Sequence, residues 1–182
     1  LVQGACDSPL TELGQDQVRQ AGAYLQERGI RFGPLYSSTQ ERASDTLELV
    51  SGRTDYTRLK GIKEWNFGLF EAQPERLQPK FRPGATSFED LFVPYGGEGV
   101  DQVGERVLIT LTEVMEKAGA EPVLAVSHGG AMWAFYLKIA AQALDPKVRF
   151  GNCAICHYQY EQGHFKLAEV IDPLTGSVYE CE

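Results

Sequence analysis

Pro122-Val123-Leu124-Ala125-Val126, followed by Ser127-His128-Gly129-Gly130, is the stretch on which the reading of this chain turns. A short apolar run of this kind has the length of a buried strand. The glycine pair ends it and opens a helix that runs to Ala143. A strand, a glycine turn and a helix in that order predict a layered α/β fold, in which ligands bind at the carboxyl ends of parallel strands. His128 stands at such an end. The glycines let an anion approach the backbone, and the helix N-terminus offers free N–H groups and a partial positive charge. On position alone His128 reads equally well as a phosphate-contacting imidazole or as a structural histidine bonded to a loop carbonyl.

The same alternation extends outward in both directions. Upstream, Val100 to Ala118 predicts a helix carrying Val103, Val107, Leu111 and Val114 on one side. Thr39 to Val50 predicts another, with Ala43, Leu47 and Val50, and Pro34 to Ser37 a short strand before it. Thr11 to Arg28 predicts a first helix, capped by Thr11, stopped by Gly29 and striped by Leu13, Val18, Ala21 and Leu25. Residues 60–99, with Pro74, Pro79, Pro83, Pro94 and the Gly96-Gly97 pair, predict loop with short helices. Downstream, Cys153 to Tyr160 and His164 to Ile171 predict a hairpin through Glu161-Gln162-Gly163. The expected architecture is an α/β three-layer sandwich: a mostly parallel central sheet with helices on both faces. It forms a single domain over residues 1–182, with 65–98 as a cap-like insertion.

Composition narrows the function. Hydrophobic residues make up 43% of the 182 and charged residues 23%, an ordinary globular balance. The net charge of -8 repels nucleic acid, and no Lys/Arg cluster offsets it. No apolar run is long enough to span a bilayer, so no membrane partner is expected. Four scattered cysteines, Cys6, Cys153, Cys156 and Cys181, need no disulfides, which suits a reducing cytoplasm. Cys153-x-x-Cys156 with His157 suggests zinc or redox chemistry. In a strand, however, positions three apart point to opposite faces, so packed thiols are expected and no metal site.

Two further residues can do chemistry. Arg42 lies one turn into the helix after Ser37-Ser38 and can reach back to grip a phosphate bidentately, or can pair on the surface with Glu41 or Asp45. Glu64, in Lys63-Glu64-Trp65-Asn66-Phe67-Gly68, is either a loop glutamate or a carboxyl raised by aromatic neighbours to act as a general acid.

Taken together, these segments resemble the histidine phosphatase superfamily, which includes the phosphoglycerate mutase-like enzymes. Gln3-Gly4-x-x-Asp7-Ser8-Pro9-Leu10-Thr11-x-x-Gly14 is similar to the family's first loop and helix start. Ser37-Ser38-x-x-x-Arg42-Ala43-x-x-Thr46, Glu64-x-x-Phe67-Gly68 and Val126-Ser127-His128-Gly129-Gly130 resemble later motifs in the family's order. Gly96-Gly97-Glu98 with Arg106 resembles its GGE segment, although Gly99 stands where serine is usual. The resemblance implies a phosphoglycerate mutase-like fold and metal-free, cofactor-free hydrolysis of a small phosphorylated substrate through a phosphohistidine. Arg42 would clamp the phosphate, His128 would stabilise the transferring group, and Glu64 would protonate the leaving group. Gln3, Gly4 and Gly129 would line the pocket. The short chain suits a phosphatase better than a mutase. Specificity would lie between Trp65 and Tyr95, where Phe70, Phe81, Phe88, Phe92 and Tyr95 either line a cap or pack as core.

The family's Arg-His-Gly nucleophile motif is not in this sequence. Leu1-Val2 looks like the end of the strand that carries it, yet Gln3-Gly4 follows directly. His157 and His164, in the terminal hairpin, cannot stand in. Either an active-site segment is missing between Val2 and Gln3, or it is deleted and the protein is a phosphate-binding relative without turnover. Two residues are too few for a central strand, which favours a missing segment. That reading requires Val2 and Gln3 to stand much further apart than the about 3.8 Å of a trans peptide.

Overall fold

A computed structural model describes residues 1–140 and 148–181. Helix α1 spans Glu12–Glu27; the Thr11 hydroxyl caps it by accepting from Gly14 N at 3.0 Å. Its buried stripe is Val18, Ala21 and Leu25, whereas Leu13 is 67% exposed. Leu13 sits in the first turn of the helix. Strand β1 (Leu35–Ser38) and helix α2 (Glu41–Ser51) follow. Gly52 ends α2 at φ 66°, a left-handed stop that glycine adopts without a Cβ penalty. A strand not foreseen in the sequence, β2 (Thr57–Leu59), comes next. Its alternation is too short to register, and pairing with β1 makes it a strand.

Residues 60–99 hold only short 3-10 turns, as their prolines dictate. Helix α3 spans Val100–Lys117, β3 Leu124–Val126 and α4 Gly129–Ile139. The helix, expected to run to Ala143, ends at Ile139 with Ala140 as an extended C-cap; residues 141–143 lie outside the described part. At the C-terminus, β4 (Ile155–Glu161) and β5 (His164–Asp172) turn through Gln162 (φ 50°) and Gly163 (φ 83°). Two successive positive φ values match the twist of a tight hairpin. A further strand, β6 (Ser177–Glu180), continues the meander.

The α/β sandwich is present, and its strands divide into two sheets. The first is parallel, in the order β2-β1-β3, with Tyr36 opposite both Thr57 and Ala125. The second is antiparallel, in the order β4-β5-β6. Helix α1 packs on α2, and α3 on α4. Leu1-Val2 belongs to neither sheet: Val2 N donates to Gln73 O, and Val2 O accepts from Ala72 N.

One core joins Val2, Ile62, Trp65, Phe67 and Phe92 to Val103, Val107 and Phe135. The stretch 65–98 is therefore anchored in the same apolar interior as α3 and α4. Phe92 is fully buried and Phe70 and Phe88 pack against this core, while Phe81 and Tyr95 remain exposed. Among the described residues, no helix is long and apolar enough to cross a membrane.

Candidate active site

The carboxyl ends of β1 and β3 lie side by side, because Ser37 pairs with Val126 in the parallel register. Each strand then delivers its chemistry in the next few residues. From β3 comes His128, 8% exposed, whose Nε2 lies 2.9 Å from Ser38 Oγ at the end of β1. Burial, with Arg42, Arg106 and Lys63 adding to it and Asp7 opposing, lowers the His128 pKa to about 3. The imidazole is neutral at ordinary pH.

From β1 comes Arg42, in the first turn of α2. Its side chain is only 13% exposed and does not pair with Glu41 or Asp45. Nη1 donates to Cys6 O (2.8 Å) and to Asp7 Oδ1 (2.9 Å), and Nη2 to Gly4 O (3.0 Å). Asp7 also accepts from the first amide of α2, that of Glu41. Although burial works the other way, these donors hold the Asp7 carboxyl below its usual range.

Glu64 enters from the loop after β2. Its carboxylate accepts from Gly130 N (3.0 Å) and Ala131 N (2.8 Å), the free amides at the start of α4, and from Trp65 N (2.7 Å). Burial pushes its pKa up, against the pull of those amides and of Arg42. A Cβ on Gly130 would come within 2.7 Å of Glu64 Oε1, so the close approach needs that glycine. Gly129, by contrast, is exposed, with open space around it. Arg106 secures the Glu64 loop from behind. It donates to the carbonyls of Gly61 (2.8 Å), Lys63 (2.7 Å) and Glu64 (3.0 Å) and pairs through two nitrogens with Glu98.

The three candidates therefore share one neighbourhood, with Arg42 acting electrostatically on both His128 and Glu64. Gly4 is drawn in through its carbonyl; Gln3 is exposed, and among the described residues no hydrogen bond ties its side chain to the site. In this state Arg42 is occupied by the chain's own carbonyls and the α4 amides by Glu64. Three consecutive amides, of Gly4, Ala5 and Cys6, donate to the Glu71 carboxylate at 3.1, 2.8 and 2.9 Å. Residues 3–7 thus lie across the site as a strap, with Glu71 on the amide side and Arg42 on the carbonyl side.

Val2 O accepts from Ala72 N at 3.1 Å, and Gly4 N donates to the adjacent Glu71, so the residues on either side of Gln3 are held by one turn. In the C-terminal sheet, Cys153 precedes β4 at φ 58° and only Cys156 is within it. The argument from opposite strand faces therefore does not apply to the pair. Burial pushes the Cys156 thiol up to about 12, and among the described residues no group of three His, Cys, Asp or Glu could hold a metal ion.

Sequence reasoning missed Gln40, Glu71 and the bracing role of Arg106. Gln40 and Glu71 look like ordinary polar residues in sequence, and only the chain path makes them central. The Glu98-x7-Arg106 spacing was visible, but not what its guanidinium would hold.

The sequence profile of the histidine phosphatase superfamily (branch 1) matches residues 1–173. A metal-independent phosphoserine phosphatase from Arabidopsis thaliana is 29% identical over 170 residues, 86% of this chain and 68% of the relative. A probable phosphoglycerate mutase, GpmB, from Yersinia pestis is 28% identical over 172 residues, covering 88% and 78%. Among solved structures, Bacillus stearothermophilus YhfR superposes with a TM-score of 0.77 at 24% identity, covering 92% of this chain and 86% of that one. An Entamoeba histolytica phosphoserine phosphatase in complex with phosphoserine gives 0.74 at 22%, covering 93% and 87%.

Proposed function

This chain belongs to the histidine phosphatase superfamily, and from that premise we propose that it hydrolyses small phosphate monoesters at the site of Arg42, Glu64 and His128. The observation that carries the reading is Glu64. Binding an anion gains nothing from a buried carboxyl, whereas breaking a P–O ester bond needs an acid for the departing oxygen. Burial favours the protonated form of Glu64, and Arg42 stands close enough to influence it.

In this mechanism Arg42 leaves the carbonyls of residues 4 and 6 and neutralises the equatorial phosphoryl oxygens. Neutral His128 donates a hydrogen bond to the same group. Charge-complementary donors aimed at developing charge are the main source of acceleration. Glu64 gives its proton to the leaving oxygen. The phosphoryl acceptor that the family resemblance implies, the imidazole of an Arg-His-Gly motif, is not among these 182 residues; where such an imidazole is supplied, it takes the phosphoryl group as the ester P–O bond breaks, and water then releases phosphate from it. The relatives suggest phosphoserine and phosphoglycerates as first substrates to try.

A second reading is favoured by one observation: these 182 residues contain no Arg-His-Gly nucleophile motif. In that reading the chain binds phosphate esters without turning them over. The test incubates the full-length protein with p-nitrophenyl phosphate, phosphoserine, 3-phosphoglycerate and a sugar phosphate. Inorganic phosphate release, with acid-labile and alkali-stable phosphate on the protein, supports hydrolysis. Saturable binding without release supports the second reading. Isomerisation that depends on a bisphosphate primer would make it a mutase, and silence in all assays would sink both readings.

A further inference from the structure

Gln40 sits at the N-cap of α2, yet its side chain makes no bond to its own helix. A residue there normally serves the first-turn amides. Here Asp7, from another part of the chain, takes that role at Glu41 N. The Gln40 carboxamide, 3% exposed, is spent on distant partners instead. Its Nε2 donates to Gly4 O (2.8 Å) and Cys6 O (3.3 Å), and its Oε1 accepts from Glu64 N (2.8 Å). A flipped amide would set oxygen against two carbonyls and N–H against N–H, so one orientation is fixed. The backbone extends the link: Gln40 N donates to Ser38 Oγ at 3.2 Å, and that oxygen contacts His128 Nε2.

Gly4 O and Cys6 O are the two carbonyls that Arg42 also holds. A carbonyl oxygen has two lone pairs, so each can serve both donors. When the guanidinium turns to a phosphate, it abandons two part-buried acceptors, and an unpaired buried acceptor is expensive. With the carboxamide in place, neither is left bare.

We infer that Gln40 is a positioning residue: it holds the Gly4–Cys6 carbonyls while Arg42 exchanges them for phosphate, and it fixes that strap relative to Glu64. The inference rests on the phosphate-site reading above. It does not require turnover.

The test measures inorganic phosphate affinity and amide hydrogen exchange on the full chain, comparing wild type with Gln40→Leu and Gln40→Glu. Leucine removes all three bonds, so phosphate should bind about tenfold more weakly or worse. Protection should drop together at the amides of Glu64, Gly4, Ala5 and Cys6. The glutamate variant keeps the acceptor but loses the donors. Glu64 N should stay protected while phosphate affinity still falls. This split separates positioning from general loosening, and it stands alone if the leucine variant does not fold. Wild-type affinity in both variants overturns the inference. If the wild-type chain binds no phosphate, the site reading fails on its own. Exchange then decides Gln40: joint loss of protection in Gln40→Leu keeps it as the tie between the two loops, and unchanged protection removes it.

Discussion

The two sheets of this protein handle the same side chain in opposite ways. The parallel sheet has strands of only three or four residues, and its imidazole, His128, is buried, neutral and bonded to Ser38. The antiparallel sheet has strands of up to nine residues, and its His157 lies half-exposed, with Nδ1 3.4 Å from Glu169. The longer ladder packs on α4, with Leu167 and Val170 in one apolar cluster with Tyr136. The short strands act as brackets: their carboxyl ends bring Ser38, Arg42 and His128 together, and loops from elsewhere add Glu64 and the strap. What the contrast teaches is that reactivity follows from what converges on a residue, and little from the residue type.

The largest effect expected from breaking that convergence is at Arg42. Arg42→Met should reduce phosphate-ester turnover on the order of a thousandfold, comparable to losing a transition-state donor. Steady-state kinetics with phosphoserine would check it, and near-normal turnover would remove Arg42 from the site. Glu64→Gln comes next, with a loss of about a hundredfold on alkyl phosphates. The loss should be much smaller on p-nitrophenyl phosphate, whose leaving group needs no acid. Equal losses on both substrates would show that Glu64 is structural.

Stability against pH sharpens the contrast between the histidines. The folded pKa of His128 lies near 3, while an unfolded histidine titrates near about 6.5. Between those values the unfolded chain binds a proton that the folded site refuses, so stability falls as pH drops through the window. Glu64 acts in the opposite direction: its raised folded pKa favours the fold below about 4.5, and that contribution fades as pH rises above it. Chemical denaturation from pH 7 to 4 should therefore fall off less steeply in His128→Gln, by a few kcal/mol across the range. Identical slopes would contradict the neutral buried imidazole. The smallest effect is expected at the other sheet: His157→Ala should change stability by no more than about 0.5 kcal/mol, as for an exposed pair, and leave phosphate binding unchanged.

Much of this was legible in the sequence because it rests on local rules. The valines of α3, the Thr11 cap and the Ser127-His128-Gly129-Gly130 turn announce themselves through spacing and type. β2 and β6 did not, being three and four residues whose strand character comes from pairing. Leu13 misled because a helical period counts positions and not neighbours. At the site, the motif residues could be named in advance, but their present partners could not. That Glu64 would occupy the α4 amides, and Glu71 the amides of residues 4–6, depends on loops meeting across some sixty residues of sequence. Gln40 was invisible for the same reason.

The central claim is that Arg42, Glu64 and His128 form one phosphate-ester site. The chain contains only three histidines, so each imidazole can be followed individually by NMR during a titration with inorganic phosphate. The account expects the His128 resonances alone to shift saturably, and to stop shifting in Arg42→Met. Phosphate that leaves His128 unmoved, or moves all three histidines alike, would contradict it.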